Sequence, residues 1–579
     1  MESLYAGLAA GTSSGIPDAS LAWLLQNDFV LEEALESLKA ALPSRFMQRL
    51  PRLPGERVRV EVLADAWVDD EPGLPELRGL QGFLLGYQQG HLLTLAELWA
   101  IPSFVRLLLL ERLLDAVEHP GGEGSVAAEA EIEGSEPGPP GPAAAAPVGP
   151  GPYIRALRAL AVTDWRDIVE ALSRVESILR RDPARAYASM DFRSRDRYRA
   201  QVERVAVRCG TGEFAVAEAA CSLAGLRPAK SRERHVGYFL IDEGLGELHA
   251  ALGGTAPMLA RPSRRARISG LLYSTAIIVL TVLFLVAGWR ILPAATLSAL
   301  LLIGAVIPGL AVAVGLANWM AGHVVAARSL PRMDYRKGIP ERARTVVAVP
   351  VLLSSPGDIE SIIHRLEANF EASRDPALTF ALLSDAPDAV ESRMAGDQDL
   401  LHAASREIAE LNRRHGTRGR GPFLLLHRAR RWNAAENRWM GWERKRGKLS
   451  ELNQLLLGKP SELWVAEGDP GRLSGVRYVL TLDADTALPQ GAAARLVGTL
   501  DHPLNRPVSG PGGRVQAGYS VLQPRIELLA DPAGGTPFAR VYAGVQGLDL
   551  YAHAAFDVYQ DLFGAAIFAW KGIYDVADF

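Results

Sequence analysis

Cysteine is almost missing from this chain: 579 residues contain only Cys209 and Cys221. Their spacing suits neither a zinc ligand set nor a disulfide framework, so a reducing compartment is expected. The eleven histidines form no H-E-x-x-H pair and no His/Cys cluster, which removes support for a zinc hydrolase. Positive charge is not in excess either. A formal net charge of -4 lacks the basic footprint of a nucleic-acid binder, and no nucleic-acid partner is expected. The opening MESLYAGLAAGTSSG has no basic n-region and no apolar h-region, so no cleaved secretory signal is expected. Its GTSSG (11–15) fits the G-x-S-x-G pattern of a nucleophile elbow. An elbow needs a strand before it and a helix after it in an α/β sheet, so this one reads as a Gly/Ser loop before a helix. Residues 118–152 have no aromatics and are mostly Ala, Gly, Pro and Glu. Such a segment cannot bury enough apolar surface to order itself and reads as a linker.

Charge is absent from two long stretches. SGLLYSTAIIVLTVLFLVAGW (269–289) and LPAATLSALLLIGAVIPGLAVAVGLANW (292–319) contain no Asp, Glu, Lys, Arg or His. Each is long enough to span a bilayer, which takes about 20 residues, and soluble helices rarely stay apolar on every face for so long. Pro308 is expected to kink the second span, and Trp319 suits an interface. Arg261, Arg264, Arg265 and Arg267 precede this hairpin and Arg328, Arg332, Arg336 and Lys337 follow it, whereas the turn has only Arg290. By the positive-inside rule both flanking regions are expected in the cytoplasm.

Before the hairpin the pattern is helical. DASLAWLLQNDFVLEEALESLKAAL, with Asp18 or Ser20 as candidate caps, and TLAELWAIPSFVRLLLLERLLDAV place apolar residues at helical spacing. DWRDIVEALSRVESILRRD and RDRYRAQVERVAVR alternate charge in the manner of solvated helix faces. The expected division is 1–117 helical, 118–152 linker, 153–262 helical, 263–326 membrane hairpin and 327–579 α/β.

After the hairpin, strands and helices alternate. RTVVAVPVLLS (344–354) suits a buried parallel strand, and DIESIIHRLEANFEA suits an amphipathic helix capped by Asp358. LTFALLSDA, FLLLHR and VRYVLTLDADT read as further strands, with DLLHAASREIAELNRRHG and KLSELNQLLLG as helices between them. This βαβ series predicts a doubly wound α/β sheet, whose ligands gather at the carboxyl ends of the strands. Asp385 follows one such end and the Asp483/Asp485 pair another. Like charges this close cost energy unless a cation sits between them or one takes a proton, and Mg²⁺ commonly takes one or two carboxylates together with substrate phosphates. D-x-D also occurs by chance in acidic loops. Here it terminates an apolar strand, a third acid ends an earlier strand, and Lys448 lies between them in the sequence.

The order Asp385, GKLSELN, TLDADT, VLQPRI resembles membrane-bound family 2-like glycosyltransferases of the GT-A fold. The longer stretches FALLSDA, LLHRARRWNAAENRWMGWERKRGKLSELN, YVLTLDADTALP, DHPLNRP, DVYQDLFG and KGIYDVADF resemble the glycosyltransferase module of cyclic β-1,2-glucan synthases. AWLLQNDFVLEEAL, LAELWAIPSFVRLLLLERL, MDFRSRDRYR and RHVGYFLID resemble that family's N-terminal cytoplasmic region. The resemblance covers nearly the whole chain apart from the linker. It implies an incomplete GT-A-like nucleotide-sugar domain preceded by all-α regions and a transmembrane hairpin. It implies UDP-glucose as donor, Mg²⁺ or Mn²⁺ as cofactor, and inverting transfer to a growing glucan chain at the bacterial inner membrane. By position, Asp385 would hold the uracil, Asp483 would face the nucleotide sugar, Asp485 would bind the metal and Lys448 would pair with the phosphates. Gln523 and Arg525 are acceptor-side candidates, with a strand-edge role equally open.

Relatives take their general base from an acidic motif downstream of GIYDV, followed by a Q-x-x-R-W-like motif and more membrane helices. The resemblance therefore implies an N-terminal fragment that stops before the family's general base, expected to bind donor without that base. Asp557, Asp561 and Asp575 are late acids but lie where the family has its own residues before the base. Tyr542, Tyr551, Tyr559 and Tyr574 are available for self-glucosylation. A scaffolding or donor-binding membrane protein, or another processive polysaccharide synthase, is the alternative.

Overall fold

The computed structural model describes residues 27–70, 77–118, 151–229, 231–254, 262–291, 297–324, 329–416, 421–513, 515–524 and 571–578. The predicted linker lies almost wholly outside them, as do the candidate caps Asp18 and Ser20. The chain forms two compact units, Met1–Arg181 with Arg199–Ser222, and Asp182–Tyr198 with Leu223–Phe579.

The first unit is helical. α1 (Asp28–Ala41), α2 (Arg59–Asp70), α3 (Leu77–Tyr87), α4 (Leu95–Glu118), α5 (Gly151–Val162), α6 (Trp165–Leu172) and α7 (Arg174–Leu179) lead to α8 (Phe192–Cys209) and α9 (Glu213–Gly225), of which the first unit holds the portions within its bounds. The apolar spacing seen in the sequence becomes one core, in which Trp67, Leu84, Phe104, Leu109, Ile154 and Val169 are buried together. The run 164–182 holds two helices. Ser173 breaks it by accepting a hydrogen bond from Glu176 N as the cap of α7. Thr94 and Glu97 start α4 as a reciprocal capping box: Thr94 N donates to Glu97 Oε2 (2.8 Å) and Glu97 N donates to Thr94 Oγ1 (3.3 Å). Glu97 is buried and also receives Arg59 Nε at 2.7 Å.

Glu213, in the first turn of α9, accepts from Leu95 N at 3.0 Å and is buried. Burial pushes its carboxyl up to about 7, with the neighbouring Glu203 and Glu97 adding to the effect. Its folded-state value lies above its unfolded one, so this contribution to stability is full below about pH 4.5 and is lost as pH rises through about 7. Glu213→Gln keeps the acceptor without the charge. It is expected to stabilise the first unit by up to about 3 kcal/mol at pH 8 and by little at pH 5, read as the gain in melting temperature at the two pH values. An equal gain at both would remove the desolvated charge from this account.

In the second unit, α10 (Gly237–Ile241) and α11 (Leu245–Ala251) precede two long helices, α12 (Pro262–Ile291) and α13 (Leu297–Val324). Both are long and apolar enough to cross a membrane, over Gly270–Arg290 and Ile303–Ala321. They pack on each other: Tyr273 OH donates to Asn318 Oδ1 at 2.6 Å, and Gly309 leaves room for the Phe284 ring, which a Cβ there would meet at 2.8 Å. Leu271, Ile278, Val282, Ile303 and Ile307 remain exposed on the outside. Pro308 sits inside α13.

The sheet follows. β1 (Thr345–Leu352), β2 (Leu378–Asp385) and β3 (Phe423–His427) run parallel, and β6 (Trp464–Glu467) closes that edge antiparallel to β3. On the other side of β1 come β7 (Tyr478–Thr481), parallel to it, then β11 (Gly572–Asp575), antiparallel, and β10 (Val521–Leu522). The spatial order is β10-β11-β7-β1-β2-β3-β6. The small hairpins β4 (Arg431–Asn433) with β5 (Arg438–Met440) and β8 (Val508–Ser509) with β9 (Val515–Ala517) stand apart from it. α14 (Pro356–Glu371), α15 (Asp397–His415), α16 (Arg444–Leu456) and α17 (Ala492–Leu500) complete the α/β alternation. Ser355, not Asp358, caps α14. Its side chain accepts from Asp358 N because Pro356 occupies the first turn and shifts the cap three residues upstream. Asp501, buried behind the sheet, gathers Tyr478 OH (3.1 Å), Arg477 (3.2 Å) and Arg506 (2.7 Å) and also accepts from Tyr335 OH.

Candidate nucleotide-sugar site

From β1 the chain moves outward through β2 and β3, then returns to place β7 on the opposite side of β1. The order reverses there, so a crevice opens between the carboxyl ends of β1 and β7, where open α/β sheets bind ligands. Asp385 ends β2 opposite Leu352 of β1, and the loop carrying Asp483 and Asp485 leaves β7 immediately after Thr481, which pairs with Ala348. The three acids expected from the sequence therefore reach the same edge of the sheet from either side of β1.

They are not in equivalent surroundings. Asp385 is 2% exposed, and Arg428, just past β3, grips it with Nε on Oδ1 at 2.5 Å and Nη2 on Oδ2 at 3.0 Å. Lys448 Nζ lies 3.1 Å from the same Oδ2 and donates to Val351 O at 2.6 Å. Burial draws the Lys448 ammonium below the ordinary lysine range, with the Asp385 carboxylate opposing it. Arg428 also donates to Trp442 O (2.9 Å) and Arg444 O (3.0 Å), so it pins the start of α16 to the strand ends. The chain can close here because two positions lack a Cβ. One at Gly441 would stand 2.6 Å from Asp385 Oδ2, and one at Gly447 would stand 2.1 Å from Trp442 O and 2.7 Å from Arg428 Nη1. Between them Glu443 (φ 45°) and Arg444 (φ 44°) both adopt left-handed backbone, a costly conformation for non-glycine residues.

Asp483 is partly exposed, and its carboxylate takes an ion pair from Lys445 on Oδ1 and from Lys571 on Oδ2 at 3.0 Å. Burial works to raise its pKa, but the two lysines prevail and hold it below the ordinary aspartate value. Asp485 is exposed, with Oδ1 3.4 Å from Thr486 Oγ1. Its loop is tied to α14 through Asn369, whose Nδ2 donates to Thr486 O (3.1 Å) and whose Oδ1 accepts from Leu488 N (2.8 Å). Among the described residues no group of three or more His, Cys, Asp or Glu is gathered for a metal. An exposed carboxylate beside a second one suits a hard cation that completes its shell with phosphates and water, and does not suit a cage built by the protein alone.

Gln523 directly follows β10, whose Leu522 pairs with Ile573, and so lies at this same edge; Arg525 lies outside the described residues. Of the late acids, Asp557 and Asp561 are also outside them. Asp575 pairs in register with Tyr478 at the amino end of β7, far along the strand from the crevice, and receives Arg477 Nε at 3.1 Å. Tyr542, Tyr551 and Tyr559 are outside the described residues, and Tyr574 is buried within the sheet.

Sequence reasoning named Lys448 but passed over Arg428, Lys445 and Lys571. HRARR and ERKRGK are basic runs in which no spacing says which cation turns inward. The antiparallel return of β11, which brings Lys571 to Asp483, involves partners 88 positions apart. His427 was not named either. It is mostly buried, its Nδ1 lies 2.8 Å from Ser384 Oγ, and burial pulls its pKa down to about 4.

Arg428→Gln leaves the buried Asp385 with Lys448 as its remaining cation and is expected to cost about 3 kcal/mol or more of stability. Arg428→Lys, lacking the two-pronged fork, should recover only part of that loss. Pairing Arg428→Gln with Asp385→Asn should recover more. Denaturant or thermal unfolding of the three variants checks this, and a wild-type midpoint for Arg428→Gln would mean that Lys448 alone neutralises Asp385.

No family model matches the chain. Cyclic beta-(1,2)-glucan synthase NdvB of Rhizobium meliloti (strain 1021) is similar to it along its whole length, 31% identical over 657 aligned positions. The chain spans 23% of the length of that relative. This similarity runs the length of the chain, helical regions, apolar hairpin and α/β sheet alike, and supports its assignment to the cyclic β-1,2-glucan synthase family.

Proposed function

We propose that this chain is the glucosyltransferase portion of a membrane-bound glucan synthase: a GT-A-like domain that binds UDP-glucose and transfers glucose with inversion to a growing β-1,2-linked chain. The observation that carries it is the convergence of Asp385, Asp483 and Asp485, with four cationic side chains, on the switch point of the sheet. That is where an α/β sheet receives a nucleotide, and the charges are those a diphosphate and its counter-cation require. The similarity to a β-(1,2)-glucan synthase supports the linkage of this reading, and the donor follows from the resemblance of the sequence motifs. The apolar outer faces of α12 and α13 support their insertion in a lipid bilayer, since residues such as Leu271 and Ile307 would otherwise lie in water. The arginine-rich flanks support a reading in which the sheet lies on the cytoplasmic side of a bacterial inner membrane.

In the transfer, an acceptor hydroxyl oxygen bonds to the anomeric carbon as the bond from that carbon to the diphosphate oxygen breaks. The hydroxyl proton passes to a base, and negative charge grows on the departing UDP. Asp485, the exposed carboxylate, would hold Mg²⁺ or Mn²⁺, and when bound the metal would neutralise the diphosphate. Asp385 Oδ2 already meets Arg428 Nη2 and Lys448 Nζ, so a uracil N–H would be accepted on the second lone pair of Oδ1, which receives Arg428 Nε. Gln523 stands at the crevice edge where an acceptor chain would lie. Asp575 is at the wrong end of β7 to take the proton.

Asp485→Asn is expected to remove the metal dependence of donor binding while leaving the fold intact. Calorimetric titration of UDP-glucose into the detergent-purified chain, with Mg²⁺ or Mn²⁺ and then with chelator, measures it. Wild type should weaken on chelation to the level of the variant, and identical metal-dependent affinity in both would take Asp485 out of this role.

A further inference from the structure

Asp483 has one negative charge and two counter-ions. Lys445 reaches Oδ1 from the first turn of α16, and Lys571 reaches Oδ2 at 3.0 Å from the residue before β11. One lysine would neutralise the carboxylate, so the second is in surplus there. The surplus persists when the three aspartates and the cations paired with them are counted together. Asp385, Asp483 and Asp485 stand against Arg428, Lys445, Lys448 and Lys571, three negative charges against four positive, before any metal is added. Such a balance invites an anion.

The fold determines which cations can answer. Lys448 is 3% exposed and locked on Asp385 and Val351 O, so moving it would strand a buried carboxylate. Lys445 and Lys571 are 26% and 24% exposed, and Asp483 is 34% exposed, so their ion pairs lie in water-accessible surroundings and are weak. Both stems nevertheless start from rigid points. Lys445 is three residues before Lys448, one turn back on the same helix, and Lys448 is anchored. Lys571 adjoins Gly572, which pairs with Thr481 two residues before Asp483. A compact ammonium on a flexible four-carbon stem can follow a phosphate over a short distance, as a buried guanidinium cannot.

We infer that Lys445 and Lys571 form a two-lysine clamp for the diphosphate of the donor, parked on Asp483 while the site is empty and turning onto the phosphate oxygens when the nucleotide enters. This rests on the donor-site reading above. The clamp gives the protein its own means of meeting the charge that develops on the leaving diphosphate.

The test compares UDP with uridine, which shares the base and ribose but has no phosphate. Each is titrated into the full chain as wild type, Lys445→Gln, Lys571→Gln, Lys445→Arg and Lys571→Arg, in chelator so that no divalent ion contributes, with a thermal melt of every variant. Each glutamine variant should bind UDP about ten- to a hundredfold more weakly than wild type, while uridine binding and melting temperature stay at wild-type values. The arginine variants should keep most of the UDP affinity, and raising the salt should weaken UDP binding more in wild type than in the glutamine variants. Unchanged UDP affinity in both glutamine variants would overturn the clamp and leave the donor site standing. Equal loss of UDP and uridine, or a lowered melting temperature, would assign the lysines to holding the loop and also overturn it. If wild type bound neither ligand even with Mg²⁺ or Mn²⁺ restored, the donor-site reading itself would fall.

Discussion

Asp385 is a carboxylate buried at the end of a central strand, and much of the α/β architecture around it follows from the need to neutralise it. An ion removed from water is tolerated only with a well-placed partner. Arg428 provides the fork and Lys448 a second charge, from β3's end and from α16. To reach the carboxylate, the chain between them must turn sharply under Trp442, which explains the missing side chains at Gly441 and Gly447 and the left-handed backbone at Glu443 and Arg444. The cluster thus fixes where α16 begins, and with it where Lys445 points. Replacing it with apolar side chains would cost little in principle, so its presence at the switch point of the sheet accords with a functional use of the charge.

The second constraint is topological. Four parallel strands with a reversal at β1 and β7 create the crevice, and an antiparallel pair beyond β7 brings distant chain back to it. Because β11 runs opposite to β7, its first residue lies beside the acidic loop and its last at the far end. Lys571 and Asp575 are four positions apart in the sequence yet at opposite edges of the sheet, one at the crevice and one bonded to Arg477. Proximity in sequence to a motif is therefore a poor guide to participation in this site.

Composition and periodicity alone determined a good deal. The apolar hairpin, the helical first unit, the order of β1, α14, β2, α15, β3, α16 and β7, and the arrival of Asp385 and the Asp483/Asp485 pair at strand ends were all legible. Each depends on local pattern: continuous apolarity for membrane helices, β-branched runs for buried strands, and amphipathic spacing for the helices between them. Tertiary structure decided the rest. It chose Ser355 over Asp358 as a cap through the geometry of a single turn, split 164–182 at Ser173, and added β6, β10 and β11 as short strands too brief to announce themselves. Above all it decided which of many basic residues meets which acid. Arginines and lysines are common throughout the chain, an ion pair can join residues 88 positions apart as readily as neighbours, and only the closing of the sheet puts Lys571 beside Asp483 and Arg428 on Asp385.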